Sequence, residues 1–278
     1  MRLSDLIDRY PPHGSLPDAD IAGVTSDSRQ VRPGWLFVAV PGTKVNGHDY
    51  LARAFEAGAR AAVVSPDRVA SLPPGHYLVA TDTREALAYA AARFRDFPGR
   101  KLQAVGVTGT NGKTTTTHLI EAALAACGRA PGVIGTLGAR YTAGTLTTTV
   151  DLGFTTPQAP DLQQLLAMMV DAGVGGLAME VSSHALDQHR AAYIDFQVGV
   201  FTNLTQDHLD YHGTEEAYAA AKAKLFASLR PDAWAVVNAD DPRASRMLEA
   251  GPARRLTYGL QQKADLTLRD LSLGAAGS

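Results

Sequence analysis

The stretch GVTGTNGKTTTTHLI, residues 106–120, constrains this chain more than any other. It follows an apolar run that begins at 102 and leads into a helical pattern. A strand that ends in Gly-x-x-Gly-Lys-Thr and enters a helix is the arrangement by which α/β proteins surround phosphate with backbone N–H groups and a lysine. The usual spacing, Gly-x-x-x-x-Gly-Lys-Ser/Thr, requires glycine at 107, where Val107 stands. Two readings therefore compete: a nucleotide loop of altered spacing, or a Gly/Thr-rich turn that contains a lysine. Gly109 and Gly112 allow successive N–H groups to point inward, and the helix beginning near Lys113 adds its positive end. Lys113 supplies charge for β- and γ-phosphate oxygens, and Thr114 supplies a hydroxyl for Mg²⁺. The loop reading is the better supported, because Gly-Lys-Thr is retained between strand and helix.

The rest of the chain has the rhythm of α/β architecture. Residues 35–40, 61–65 and 76–81 read as strands, and 48–60 and a segment beginning at Thr83 as helices. Pro98-Gly99 falls between two such sets, which places a domain boundary there: 1–98 and 99–278. In the second part a helix is expected from Thr114 to about Cys127 and a strand near 132–136. Over 160–173, Leu162, Leu165, Leu166, Met169 and Val170 recur at helical spacing, so the methionines of this helix are assigned to the core. GGLAMEV, FQVGVFTNL and AWAVVNADD are nearly continuous apolar runs, as in buried parallel strands. Ligands of such sheets collect at the carboxyl ends of strands. The polar clusters Thr108–Lys113, Glu180–His184, Asn203–Asp210 and Asn238–Asp241 stand there.

A hydrophobic fraction of 45% with 19% charged residues describes a globular chain rather than a disordered one. A net charge of −2 gives no footprint for a polyanion such as DNA. No apolar run approaches the ~18 residues of a membrane span, and the first residues lack a signal-peptide core, so a cytoplasmic setting is expected. The single cysteine, Cys127, is expected to be a small buried residue.

Three further features bear on chemistry. Glu180 ends an apolar strand, where an isolated carboxylate is costly unless paired or metal-bound; it reads as an Mg²⁺ ligand or as a cap for the next turn. Ser182, Gln188 and Arg190 follow in a loop suited to an anionic, hydroxyl-rich ligand. His208 and His212 are four apart, which leaves zinc, a structural role or an Mg²⁺-nucleotide site open. On the helix over 215–229, Ala217, Ala221, Leu225 and Phe226 can face the sheet, and by spacing alone Lys222 and Lys224 are solvated.

These motifs together resemble the Mur ligase family from about residue 20 to the end of the chain. The family's nucleotide loop is the compact Thr-Gly-Thr-Asn-Gly-Lys-Thr form seen at 108–114. TSDSRQVRPGWLFVAVPG, TTP at 155–157, and EVSSHALDQHR followed by DHLDYHGTEEAYAAAKAKLF are closest to the members that add a diamino acid. The resemblance implies an N-terminal α/β UDP-binding domain, then a P-loop mononucleotide-binding domain with a mostly parallel sheet that is incomplete at its C-terminal end. A third, amino-acid-selecting domain is expected to be absent.

Position by position, the resemblance implies that Ser26, Ser28 and the Thr43, Lys44, Val45 turn hold the uridine diphosphate. Thr155, Thr156, Ser182, Gln188 and Arg190 would bind UDP-MurNAc-L-Ala-D-Glu. Gly109, Thr110, Asn111, Gly112, Lys113, Thr114 and Thr115 would hold ATP. Thr114, Glu180 and His208 would serve Mg²⁺, with Lys222 carbamylated by CO₂ as a further ligand. The implied reaction is ATP-dependent amide formation with meso-diaminopimelate or L-lysine in peptidoglycan precursor synthesis. A monomer is implied for a full-length protein, and little or no turnover is expected from these 278 residues alone. A non-catalytic UDP-sugar-peptide or nucleotide-binding module, and a P-loop NTPase of other substrate, remain as alternatives.

Overall fold

The computed structural model describes residues 1–17, 19–42 and 45–269. Along the chain the elements are α1 (Leu3–Leu6), β1 (Pro12–His13), β2 (Gly23–Thr25), β3 (Trp35–Val38), α2 (Leu51–Glu56), β4 (Ala61–Val64), β5 (Tyr77–Val79) and α3 (Thr83–Phe94). There follow β6 (Gln103–Thr108), α4 (Lys113–Ala126), β7 (Pro131–Gly135), β8 (Gly138–Ala143), β9 (Leu146–Val150), α5 (Ala159–Asp171), β10 (Gly176–Glu180) and α6 (Ser183–Asp187). The last described elements are β11 (Phe196–Phe201), α7 (Leu209–His212), α8 (Glu215–Ala227), β12 (Trp234–Asn238), α9 (Ala244–Glu249) and β13 (Arg254–Tyr258). Two compact units result. One comprises 1–101, 157–170 and 188–194; the other comprises 102–156, 171–187 and 195–278.

The first unit is built on a sheet of order β1-β5-β4-β3-β2, parallel except for β1 at its edge. Side chains alternate across a strand, and both faces of this sheet are covered. Leu36, Val38, Ala61 and Val63 pack with Leu3, Leu6, Ala86 and Ala90 of α1 and α3. Phe37, Ala39, Ala62 and Val64 pack with Leu51 and Ala54 of α2. This two-sided burial is why these strands read as unbroken apolar runs. The expected helix over 48–60 begins instead with a 3₁₀ turn, Gly47–Tyr50, capped by the Asn46 side chain.

The second unit carries a sheet of order β13-β12-β11-β6-β10-β7-β8-β9. β13 through β7 are mutually parallel; the apolar runs predicted this for β10, β11 and β12, whereas β13, with the sequence RRLTY, was not anticipated. The antiparallel β8–β9 hairpin was not anticipated. Its run of β-branched residues, Thr147 to Val150, and Gly144 at φ +61 are the signals that mark it. β6 lies between β10 and β11, with its successor β7 on one side and β11 on the other. The chain thus reverses its direction of winding at the carboxyl end of β6, where α/β sheets leave a crevice.

Some expectations are corrected. Cys127 is exposed, because it caps the solvent-facing last turn of α4. Of the α5 methionines, Met169 is buried but Met168 is 40% exposed, one residue off the stripe formed by Leu162, Leu165 and Leu166. On α8, Ala217 is exposed and Lys222 is buried, so the apolar stripe runs through Tyr218, Lys222, Leu225, Phe226 and Leu229. Among the described residues, no helix is long and apolar enough to cross a membrane.

A buried histidine makes the first unit acid-sensitive. His48 Nδ1 lies 2.8 Å from Asn46 Oδ1, and Nε2 accepts the Ser65 amide at 3.0 Å, an arrangement satisfied by the neutral ring. Burial holds its pKa below the ordinary 6.5, with the nearby Arg68 charge adding to the effect. The unfolded chain therefore takes up a proton that the folded chain resists. Stability is expected to fall as pH drops through 6.5 and to level off below the folded-state value. Thermal unfolding between pH 7 and 5 should show a larger fall in stability for the wild type than for His48→Gln; equal slopes would count against this role.

Candidate nucleotide and acceptor sites

Gly109 and Gly112, at φ +149 and +83, give the loop after β6 its shape. A Cβ on Gly109 would lie 1.9 Å from Thr202 Oγ1, so the close approach of the loop to the end of β11 requires glycine. That approach is bonded throughout. The Thr110 amide donates to Asn203 O (2.8 Å) and the Asn111 amide to Asn203 Oδ1 (3.0 Å). Thr202 Oγ1 donates to Asn111 O (2.7 Å). Because Asn203 engages the amides of Thr110 and Asn111, the N–H groups available for an anion begin with the first turn of α4. There Lys113, Thr114 and Thr115 have no intrahelical carbonyl to bond.

The Lys113 ammonium donates to the carbonyls of Gly109 (2.9 Å) and Thr110 (2.8 Å), and burial lowers its pKa. Lys222 Nζ donates to the same Gly109 oxygen at 2.8 Å and stands 4.3 Å from the centroid of the Tyr218 ring. Its side chain is 1% exposed. Burial, reinforced by the Lys113 charge, brings the Lys222 amine down to about 7. The spacing signal lay in the i, i+4, i+7 series Tyr218, Lys222, Leu225: a lone lysine inside an apolar stripe.

Glu180, also 1% exposed, ends β10. Its Oε1 accepts from Thr114 Oγ1 and from the Thr136 amide, both at 2.9 Å, while Oε2 accepts from Thr136 Oγ1 at 3.2 Å. The carboxylate fits because position 135 is glycine: a Cβ there would lie 2.2 Å from Oε1. Thr136 and Gly135 are the functional neighbours that sequence reading did not single out. Thr155 Oγ1 lies 3.1 Å from Thr136 Oγ1. Thr156 Oγ1 donates to Glu180 O (3.0 Å) and accepts the Ser182 amide (3.2 Å). Ser182 Oγ in turn accepts the Ala185 amide at the start of α6 (3.2 Å). The donor set of Glu180 and Thr114 suits a small, hard cation. His208, at φ +52, stands beside His184 (4.9 Å between centroids), Tyr218 (6.0 Å) and Asp207 (3.5 Å). Among the described residues, no cluster of three or more His, Cys, Asp or Glu could hold a metal. The zinc reading of His208 and His212 therefore has no support.

In the first unit, Ser26, Ser28, Val45, Gln188 and Arg190 come together around a cavity of about 650 Å³, with Arg29, Arg53, Arg84, Tyr50 and Phe37 also in its wall. Thr43 and Lys44 lie outside the described residues. The floor is shaped by an Asx turn: Asp27 Oδ1 accepts the Arg29 amide (2.9 Å), and the Arg29 guanidinium holds the Asp27 pKa below the carboxylate norm. This pocket is rich in arginine, which suits an anionic ligand.

Residues 20–95 match the Mur ligase family catalytic domain, and residues 107–278 match the Mur ligase middle domain. The chain belongs to the Mur ligase family. A relative from Synechococcus elongatus, named UDP-N-acetylmuramoyl-L-alanyl-D-glutamate–2,6-diaminopimelate ligase, is 46% identical over 273 residues, covering 96% of this chain and 54% of the relative. One from Bacillus licheniformis with the same name is 38% identical, covering 100% and 57%. A solved structure of a ligase of that name superposes with a TM-score of 0.82 at 31% identity, over 100% of this chain and 56% of the other. MurF from Acinetobacter baumannii, at 20% identity and a TM-score of 0.62 over 98% of this chain and 55% of the other, shares the fold. The chain thus spans about half the length of the Mur ligases it matches.

Burying Lys222 has a measurable cost. Between about pH 7 and 10.5 the unfolded chain holds a proton that the folded amine has lost, so stability rises with pH through that window. Lys222→Met keeps the apolar stem without the charge. It should raise stability, by on the order of several kcal/mol at pH 7 and less as pH approaches 10. Thermal unfolding at both pH values checks this, and a destabilised variant at pH 7 would refute it.

Proposed function

We propose that this chain carries the nucleotide and acceptor sites of an ATP-dependent ligase. That ligase joins a diamino acid to the D-glutamyl carboxylate of UDP-MurNAc-L-Ala-D-Glu, in the cytoplasmic stage of peptidoglycan precursor synthesis. The names of the relatives favour 2,6-diaminopimelate over L-lysine as the diamino acid. The observation that carries the reading is Lys222, held buried against the loop carbonyl that also receives Lys113. A generic NTPase has no use for a second, neutralised lysine there.

In this reading the acceptor carboxylate attacks the γ-phosphorus of ATP, ADP leaves, and an acyl phosphate forms. The incoming amine then attacks the acyl carbon, loses a proton, and phosphate departs as the acyl–oxygen bond breaks. Lys113 and the first-turn amides of α4, Lys113 to Thr115, stabilise the negative charge on the phosphoryl oxygens. Gly109 and Gly112 permit the loop's course, while Thr110 and Asn111 brace it against Asn203. Thr114 and Glu180 would hold Mg²⁺, with His208 nearby in sequence to α7. The cation, when bound, supplies further charge for the phosphate oxygens. Lys222, with an amine that titrates about pH 7 and is therefore partly uncharged there, can add to CO₂ with loss of a proton. The resulting carbamate replaces a cation with an anion bearing two oxygens. Ser26, Ser28, Val45, Gln188 and Arg190 bind the UDP-linked acceptor in the pocket of the first unit. In the second unit, Thr155, Thr156 and Ser182 are assigned to the acceptor as well.

Calorimetric titration decides between readings. UDP-MurNAc-L-Ala-D-Glu is expected to bind the chain, and Arg190→Ala to weaken that binding about tenfold or more. ATP·Mg²⁺ binding without acceptor binding would favour the NTPase alternative. For the carbamate, ¹³C-bicarbonate should give the wild type a carbamate-carbon NMR signal that Lys222→Met lacks; the same signal in both would remove Lys222 from that role.

A further inference from the structure

The segment 188–194 contributes Gln188 and Arg190 to the pocket of the first unit, and it follows a strained path. His189 and Tyr193, on either side of Arg190, sit at φ +55 and +64, a left-handed region that non-glycine residues rarely adopt. Such strain persists only where surrounding contacts enforce it. Here each strained residue sends its side chain to the first turn of α3. His189 Nε2 lies 3.2 Å from Asp82 Oδ2, and the other oxygen of Asp82 accepts the amides of Arg84 (2.9 Å) and Glu85 (3.1 Å). The Tyr193 hydroxyl donates to Glu85 Oε1, while Tyr10 donates to Oε2.

The Tyr193 ring adds contacts at 5.4 Å to Tyr89 and 6.0 Å to Phe97, and its hydroxyl accepts from Arg9 at 3.3 Å. Between the two strained residues, Gln163 Nε2 donates to Ala192 O at 3.3 Å. Burial and the Glu85 hydrogen bond raise the pKa of both phenols, so both remain donors across the accessible pH range. At the pocket end, Arg190 Nε and Nη2 donate to Gln188 Oε1 at 3.0 and 2.6 Å, which sets the two ligand-facing side chains as one unit.

We propose that Glu85 and Tyr193 are positioning residues for the acceptor pocket: their hydrogen bond, with the His189–Asp82 pair, locks 188–194 in the strained path that presents Gln188 and Arg190 to an anionic UDP-linked ligand. The identity of that ligand rests on the ligase reading above. The clamp acts on the Gln188–Arg190 unit, whose charged member is Arg190, so most of the affinity lost with the clamp is lost only while Arg190 is present.

The test is a double-mutant cycle by calorimetry with UDP-MurNAc-L-Ala-D-Glu, using Tyr193→Phe, Glu85→Gln, Arg190→Ala and the two combinations with Arg190→Ala. Tyr193→Phe and Glu85→Gln should each weaken binding about tenfold in the wild-type background and less than twofold with Arg190→Ala. An equal loss in both backgrounds, or no loss in either, overturns the proposal. So does an Arg190→Ala variant of undiminished affinity. Amide hydrogen exchange gives a readout independent of the ligand. Exchange in 188–194 should quicken in Tyr193→Phe while β3 and β4 are unchanged; unaltered exchange in the segment overturns the clamp. If the wild type fails to bind the ligand, the ligase reading falls, and the exchange experiment still decides whether the clamp exists.

Discussion

Two lysine side chains donate to one carbonyl oxygen, that of Gly109, and much of the second unit is arranged so that they can. A carbonyl has two lone pairs, so the bonding is satisfied, but two ammonium groups at that separation in a buried setting repel strongly. Lys222 is the deeper of the two, and burial first, then the Lys113 charge, brings its amine down to about 7, so that near this pH much of it is uncharged. Lys113 keeps two carbonyl partners. The meeting requires β6 to end between β10 and β11, Gly109 to pass close to Thr202, and α8 to turn its Tyr218–Lys222–Leu225 stripe inward. Each of these follows from packing that would serve any α/β domain. Only the lysine in the stripe departs from it.

Glu180 shows the same logic with opposite sign. A carboxylate at the buried end of a strand is tolerated because three donors reach it and because Gly135 yields the space of a side chain. One of those donors, Thr114, is also the residue after the loop lysine, so the hydrogen bond ties β10 to the start of α4. Stability is thereby given up at Lys222, a buried amine that hydrophobic packing would replace at a gain, while the Glu180 carboxylate is held by its donors beside the loop.

Much of this was legible in the sequence. Most of the parallel strands announced themselves as unbroken apolar runs, as in the first sheet, where both faces are covered; the edge strand β13, RRLTY and partly exposed, did not. The loop was readable despite Val107, since Val107 is strand interior rather than loop and the glycines, lysine and threonine are in register. Lys222 was not legible from spacing, because the helix phase was set by Ala217 rather than by Tyr218. Shifting the stripe by one residue moves the lysine from solvent to core. Gly135 and Thr136 were hidden because their roles depend on strands adjacent in space and distant in sequence, and the Asn203 cluster was seen without its bonds to the loop. The β8–β9 hairpin, polar and half exposed, gave too weak an apolar signal to be seen. The resemblance to Mur ligases pointed to Lys222, and the structure gives the physical reason that a lysine at that position behaves differently from Lys224.

A reactive amine beside the loop requires that much of Lys222 be uncharged near pH 7. The direct measurement is an NMR titration of the ¹³Cε of Lys222 in CO₂-free buffer, assigned by comparison with Lys222→Met. A midpoint about 7 is the predicted result. A midpoint near 10.5, the ordinary lysine value, would contradict the account and remove the physical basis for a reactive amine at the loop.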